Sequence, residues 1–278
     1  MKQQTALITG ASSGIGKATA ILLHEKGYNV YATARRLEMM EDLKAQGINV
    51  LYLDVSQEES MISVIKTIEK EAGKVDILVN NAGYGSYGSL EEVPLQEGRY
   101  QFEVNLFGLA RLCQLVIPKM RDSQSGVIIN VSSVGGRGGE ALGSWYHATK
   151  FAVEGLTESL WLELKPFGIK VAIIEPGPII TEWGSIAVDS LKKVSGNGPY
   201  KTMAERAVKY LTKVNDPKIG TDPKVVAQDI LKAITAQNRK LRYPSGNGAK
   251  ISMFLTKHIG EQTMHWINGK MIDTFMVK

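Results

Sequence analysis

The chain has 278 residues, 44% of them hydrophobic and 22% charged, the balance of an ordinary globular chain long enough for one large α/β domain. Its single cysteine, Cys113, excludes an intramolecular disulfide and, in the apolar stretch L-A-R-L-C-Q-L-V-I, reads as a packed thiol. The net charge of +5 is uneven, with 16 Lys/Arg against 7 Asp/Glu from Gly184 onward and 17 against 21 before it, but no metal motif or aromatic-interleaved basic run marks nucleic-acid binding.

The N-terminus runs straight into T-A-L-I-T, the first expected strand, without an apolar leader. No stretch approaches the ~20 apolar residues of a membrane span, so a soluble, cytoplasmic protein is expected. A helix from Ile15 to Lys26 follows, its apolar residues helically spaced and Gly27 able to end it. N-V-Y-A-T-A is the second strand and I-N-V-L-Y-L-D-V the third. A helix carrying Ile62, Ile65 and Ile68 leads to the fourth strand, V-D-I-L-V-N-N. A long helical region over 96–120 precedes G-V-I-I-N-V-S-S, and a helix over 144–165 precedes I-K-V-A-I-I-E-P. Strands alternating with helices of this length imply βαβ units and a doubly wound parallel sheet with helices on both faces, its ligand crevice at the strands' carboxyl ends. Residues 178–222 break the rhythm with Gly-Pro punctuation around amphipathic pieces, as a helical lid would. Thr221-Asp222-Pro223 opens another helix. A C-terminal extension over about 240–278 reads as a tail, with Met253, Phe254, Leu255, Met264, Trp266 and Ile267.

Three features carry chemistry. T-G-A-S-S-G-I-G, residues 9–16, joins the first strand to the first helix. Gly10, Gly14 and Gly16 permit a tight turn and close backbone approach, and the helix N-terminus presents unpaired N–H groups, so the turn can cradle a diphosphate. Its G-x-x-x-G-x-G spacing is not the common dinucleotide fingerprint. Second, strand 2 ends in Y-A-T-A-R-R, where that fingerprint would place an acidic residue to hold a ribose hydroxyl. Ala34, Arg35 and Arg36 remove the repelling carboxylate and offer guanidinium donors, which suits a 2′-phosphate; a plain pair of solvated arginines is the alternative. Third, Tyr146 and Lys150 in S-W-Y-H-A-T-K share a helix face, and Ser133 ends a strand thirteen residues earlier. A tyrosine near its ordinary pKa of ~10 is a poor base at neutral pH, and a neighbouring ammonium lowers that value. Ser133, Tyr146 and Lys150 can then bind a carbonyl oxygen and exchange its proton. His147, a quarter turn from Tyr146, reads as packing or surface.

With Asp54-Val55, N-N-A-G at 80–83, Asn105 and P-G-P-I-I-T at 176–181, the ordered set over about 3–182 resembles the classical short-chain dehydrogenase/reductase family. The resemblance implies a single NAD(P)-binding Rossmann domain. It makes Tyr146 the acid/base, Lys150 its activator and a ribose ligand, Ser133 the residue that orients the substrate oxygen, and Asn105 the support of a proton relay through a local helix distortion. It places Gly10, Ser12, Ser13, Gly14, Ile15 and Gly16 at the diphosphate. Arg35 and Arg36 fall at the 2′-phosphate, Asp54 and Val55 at the adenine, and Asn81, Ala82 and Gly83 along the cofactor. Pro176, Gly177, Ile179 and Thr181 fall at the nicotinamide. One family feature is absent: Ser13, not a basic residue, precedes Gly14, so NADP(H) preference rests on the Arg pair. The long variable region, with Trp183, Ile186, Val188, Leu191, Tyr200, Met203 and Tyr210, and the later R-Y-x-x-G-x-G-A-K look most like the 17β-hydroxysteroid dehydrogenase-like branch. That implies a steroid-, retinoid- or ketone-like hydrophobic substrate and a homodimer or homotetramer through helices near 100–120 and 145–165. An NADP(H)-binding sensor with little turnover is the alternative, and the basic last third leaves open a solvated surface, an acidic ligand or a peripheral membrane contact.

Overall fold

The computed structural model describes residues 3–237 and 240–258, together with residues 263, 266 and 270. Its elements are β1 (Thr5–Thr9), α1 (Gly14–Glu25), β2 (Asn29–Ala34), α2 (Glu41–Ala45), β3 (Asn49–Tyr52), α3 (Glu58–Ala72), β4 (Ile77–Asn80), α4 (Leu95–Phe102), α5 (Gly108–Asp122), β5 (Gly126–Val131), α6 (Ser144–Leu164), β6 (Ile169–Pro176), α7 (Trp183–Ser195), α8 (Lys201–Lys213), α9 (Pro223–Thr235), β7 (Arg242–Ser245) and α10 (Ala249–His258). Among the described residues the strands form one sheet in the order β3-β2-β1-β4-β5-β6-β7. Every pairing is parallel. The order reverses at β1, so the crevice opens where the loops after β1 and β4 part.

Side-chain alternation divides the strands between two cores. Ala6, Ile8, Val30, Ala32, Val79 and Ile129 join Ala20 and Leu23 of α1 and Val226 and Ile230 of α9 on one face. Leu7, Tyr31, Leu78 and Ile128 join Ile65 and Ile68 of α3, Leu112 and Val116 of α5 and Val153 of α6 on the other. Burial on both faces explains the near-continuous apolar strands. Cys113 is packed in the second core, as expected. Gly27 takes a φ of +82° to release α1 into β2, and Asp222 accepts the Lys224 N–H at 2.8 Å to cap α9.

The structure departs from the sequence reading in two places. The stretch read as a tail contains β7, which pairs Ile173 with Arg242 through Pro176 with Ser245. Its four residues include Pro244, tolerated because the strand lies at the sheet edge. The third strand ends at Tyr52, so Leu53 to Val55 leave the sheet toward the crevice. The helical region over 96–120 carries the local distortion implied at Asn105, a π-helical stretch over Glu103–Phe107. Met264 and Ile267 lie outside the described residues.

Candidate active site

The glycine turn is tied to the end of β4 by hydrogen bonds. Thr9 Oγ1 accepts the N–H groups of Asn81 and Ala82, each at 3.0 Å. Asn81 Nδ2 donates to the carbonyls of Thr9 at 2.9 Å and Gly10 at 3.3 Å. Gly10 sits at φ +69°, and a Cβ there would stand 2.9 Å from Ala82 Cα. A Cβ on Gly16 would stand 2.6 Å from Asn81 Nδ2 and against the Gly10 carbonyl oxygen. These glycines are required by the close approach of β1, α1 and β4, which leaves the turn backbone facing the crevice. Ser13 begins α1 in extended conformation and its side chain caps no N–H there.

The arginines follow β2 directly. Arg35 Nη1 donates to the Tyr100 hydroxyl at 3.0 Å. Arg36 Nη2 reaches Ser12 Oγ at 3.1 Å, Ser13 Oγ at 3.4 Å and Glu182 Oε2 at 2.7 Å. Asp54, one loop away, accepts the Ser56 N–H at 2.9 Å and its hydroxyl at 2.7 Å.

Helix α6 carries Tyr146 and Lys150 on one face, both buried. Tyr146 packs against Trp183 with ring centroids 5.0 Å apart and against Tyr87 at 5.8 Å. Lys150 Nζ lies 5.9 Å from the Tyr146 ring centroid and donates to the Val131 carbonyl at 3.0 Å. Ser133 Oγ accepts the Gly135 N–H at 3.0 Å, which leaves the hydroxyl proton available. The expected lowering of Tyr146 by Lys150 is not what this arrangement produces. Burial raises Tyr146 to about 12, and the hydrogen bond to Ser133 is the opposing influence. Burial also brings Lys150 down to about 8, countered by the Glu154 carboxylate. Ser133, rather than the adjacent Ser132, is therefore the serine coupled to the phenol.

Asn105 stands behind this group. Its Oδ1 accepts the Tyr84 N–H at 3.0 Å, and its Nδ2 donates to the Tyr84 carbonyl at 2.9 Å and Thr149 Oγ1 at 3.1 Å. The π-helical stretch places it there.

Two features escaped the sequence reading. His147 is buried, and its Nδ1 bonds the Gly135 carbonyl at 2.9 Å. A carbonyl only accepts, so the bond requires Nδ1–H. The ring thus braces the turn that holds Ser133. The second is a buried charge cluster one turn beyond Lys150. Glu154 Oε2 meets Arg242 Nε at 3.0 Å and Arg137 Nη1 at 3.9 Å, while Glu175 Oε1 lies 3.6 Å from Arg242 Nε and 4.0 Å from Arg137 Nη1. Arg242 also pairs with Glu158. It draws on β6, β7, α6 and the turn after β5, and no local motif signals such an assembly.

A cleft of about 430 Å³ connects these groups. Of the residues singled out above, Gly10, Ser12, Ser13, Gly14, Ile15, Arg35, Arg36, Asp54, Val55, Asn81, Ala82, Gly83, Ser133, Tyr146, Lys150, Pro176, Gly177, Ile179 and Thr181 line it. Gly16 and Asn105 support it from behind. Helices α7 and α8 pack on each other through Val188, Leu191 and Leu211, and present Trp183, Ile186 and Tyr210 to the cleft. Tyr200 instead donates to Glu91 at the exposed rim.

Residues 4–189 match the short chain dehydrogenase family. This chain belongs to that family. It is 37% identical over 247 residues to a 3-ketodihydrosphingosine reductase of Bacteroides thetaiotaomicron, covering 88% of this chain and 89% of that one. Human retinol dehydrogenase 8 is 37% identical over 253 residues, covering 86% and 80%. A short-chain dehydrogenase structure from Streptomyces avermitilis superposes with a TM-score of 0.77 at 32% identity, covering 99% and 98%. Two further structures of similar proteins carry different cofactors. A Burkholderia phymatum dehydrogenase in complex with NAD has a TM-score of 0.78 at 25% identity, covering 94% and 95%. A metagenomic oxidoreductase in complex with NADP has a TM-score of 0.67 at 26% identity, covering 86% and 95%. Among the described residues no helix is long and apolar enough to cross a membrane.

Proposed function

We propose that this short-chain dehydrogenase interconverts a carbonyl and a secondary alcohol on a hydrophobic substrate, using NADP(H). The observation that carries the reading is the single cleft running from Arg35 and Arg36, along the glycine turn, to Ser133, Tyr146 and Lys150 beneath the apolar faces of α7 and α8. The residues fit a 2′-phosphorylated dinucleotide. Gly10, Ser12, Ser13 and Gly14 of the turn line the cleft, Ala34 offers no carboxylate, and Arg36 already grips an anionic side chain.

When bound, the nicotinamide supplies or accepts the hydride. Ser133, whose Oγ accepts the Gly135 N–H, keeps its own O–H free to orient the substrate oxygen by a hydrogen bond. Tyr146 exchanges, at its phenolic oxygen, the one proton that accompanies the hydride. Lys150, with a value of about 8, is largely charged at neutral pH and stabilises charge on that oxygen while holding the ribose. Asn105, placed by the π-helical stretch and tied to Tyr84 and Thr149, supports the proton relay. Trp183, Ile186 and Tyr210 exclude water from an apolar substrate. The relatives named for 3-ketodihydrosphingosine and for retinol support a hydrophobic substrate class. Phe107 on the π-helical stretch and Phe151 and Leu162 on α6 remain exposed, which supports a homo-oligomer that covers them.

The test is Tyr146→Phe against a panel of hydrophobic ketones and alcohols with both cofactors. NADPH binding is expected to persist while turnover falls by about 10²–10⁴-fold. Undiminished turnover in the variant would refute the assigned role, and a wild type inert on the whole panel would favour the sensor.

A further inference from the structure

Arg36 is held by two separate parts of the chain. Its Nη2 contacts Ser12 and Ser13 of the glycine turn and, at 2.7 Å, Oε2 of Glu182, which is 146 residues away and immediately precedes α7. The neighbouring segment lies across the turn, since Thr181 Cγ2 would be 2.8 Å from a Cβ on Gly14. Glu182 itself lines the cleft and its side chain is 43% exposed, so nothing buried fixes it in place. A carboxylate thus sits on the guanidinium that the NADP(H) reading assigns to the 2′-phosphate.

We propose that Glu182 is an internal competitor for that phosphate: it occupies Arg36 until a 2′-phosphorylated nucleotide displaces it, and it thereby sets the discrimination between NADP(H) and NAD(H). The inference rests on the reading of Arg36 given above. A phosphate monoester carries up to two negative charges and cannot share Nη2 with a carboxylate without repulsion. A nucleotide lacking the 2′-phosphate brings no anion to this point and leaves the pair closed. The exchange also reaches the lid. Trp183, the next residue, packs on Tyr146 at 5.0 Å and on Tyr87 at 5.7 Å, so freeing Glu182 loosens the chain directly above the phenol.

The experiment measures NADPH and NADH dissociation constants by cofactor fluorescence on the full chain for wild type, Glu182→Gln, Arg36→Ala and the double variant. An exposed ion pair of about 0.2–1 kcal/mol predicts that Glu182→Gln tightens NADPH by up to about fivefold. NADH is expected to change less, and the gain is expected to vanish in the Arg36→Ala background. Unchanged NADPH affinity, equal tightening of both cofactors, or a gain that survives Arg36→Ala overturns the competitor role. Arg36→Ala weakening both cofactors equally would instead overturn the 2′-phosphate assignment beneath it.

Discussion

Glu175 is the penultimate residue of β6, 1% exposed, and it faces Glu154 from α6 as well as Arg137 and Arg242. Burial first, and the Glu154 carboxylate second, raise it from 4.5 to about 7, against the pull of the two guanidiniums. Between those two values the folded chain keeps a proton that the unfolded chain releases. The folded state therefore binds more protons, and stability falls as pH rises through this window. At about 1.4 kcal/mol per pH unit, the loss is at most roughly 3 kcal/mol, and less where the guanidiniums and nearby water relax around the charge. Glu175→Gln keeps the shape and removes the titration. Its stability relative to wild type is expected to improve by about 1–3 kcal/mol between pH 5 and pH 8. Urea unfolding of both proteins at the two pH values measures this directly, with the slope checked for constancy. A stability difference that is the same at pH 5 and pH 8 would show that Glu175 ionises normally, and the reasoning would fail.

Arg35→Ala combined with Arg36→Ala is expected to weaken NADPH by at least about tenfold more than NADH, since charge-assisted phosphate contacts are among the stronger polar interactions; equal losses by titration would remove the basis for NADP(H) preference. His147→Phe preserves bulk but deletes the bond to the Gly135 carbonyl. It is expected to lower kcat severalfold with little change in KM or cofactor affinity, because the ring acts through Ser133; a kcat equal to wild type would mean it only fills space. Gly16→Ala drives a methyl against the Gly10 carbonyl and Asn81. A loss of several kcal/mol or failure to fold is expected from overpacking against backbone, and a thermal midpoint within about 2 °C of wild type would contradict that.

The parts of the molecule legible in the sequence are those encoded by neighbours along the chain. Alternating apolar runs and helical spacing located β1, β2, β6, α1 and α6 to within about a residue, because each buries a continuous face. The glycine turn and the Tyr146–Lys150 pair were legible for the same reason, each being a local geometry. β7 was not, since four residues with a proline read as a loop until β6 is there to pair with them. The same is true of His147. Its position beside Tyr146 suggested packing or surface, and only the return of the chain at Gly135 makes it a buried brace.

The charges make the point more sharply. From the sequence, Lys150 four residues after Tyr146 implied a lowered phenol. Folding buries both, and burial acts on them in opposite senses, up to about 12 for the phenol and down to about 8 for the ammonium. The two values therefore sit about four pH units apart. The groups that oppose burial come from outside the motif: Ser133 from the end of β5 lowers the phenol, and Glu154 from the next turn of α6 supports the ammonium. Glu154 is in turn held by Arg137 and Arg242. The stretch first read as a tail thus fixes, through β7, the carboxylate that opposes burial at Lys150. A motif names the groups that meet at the cleft, but their charge states belong to the fold.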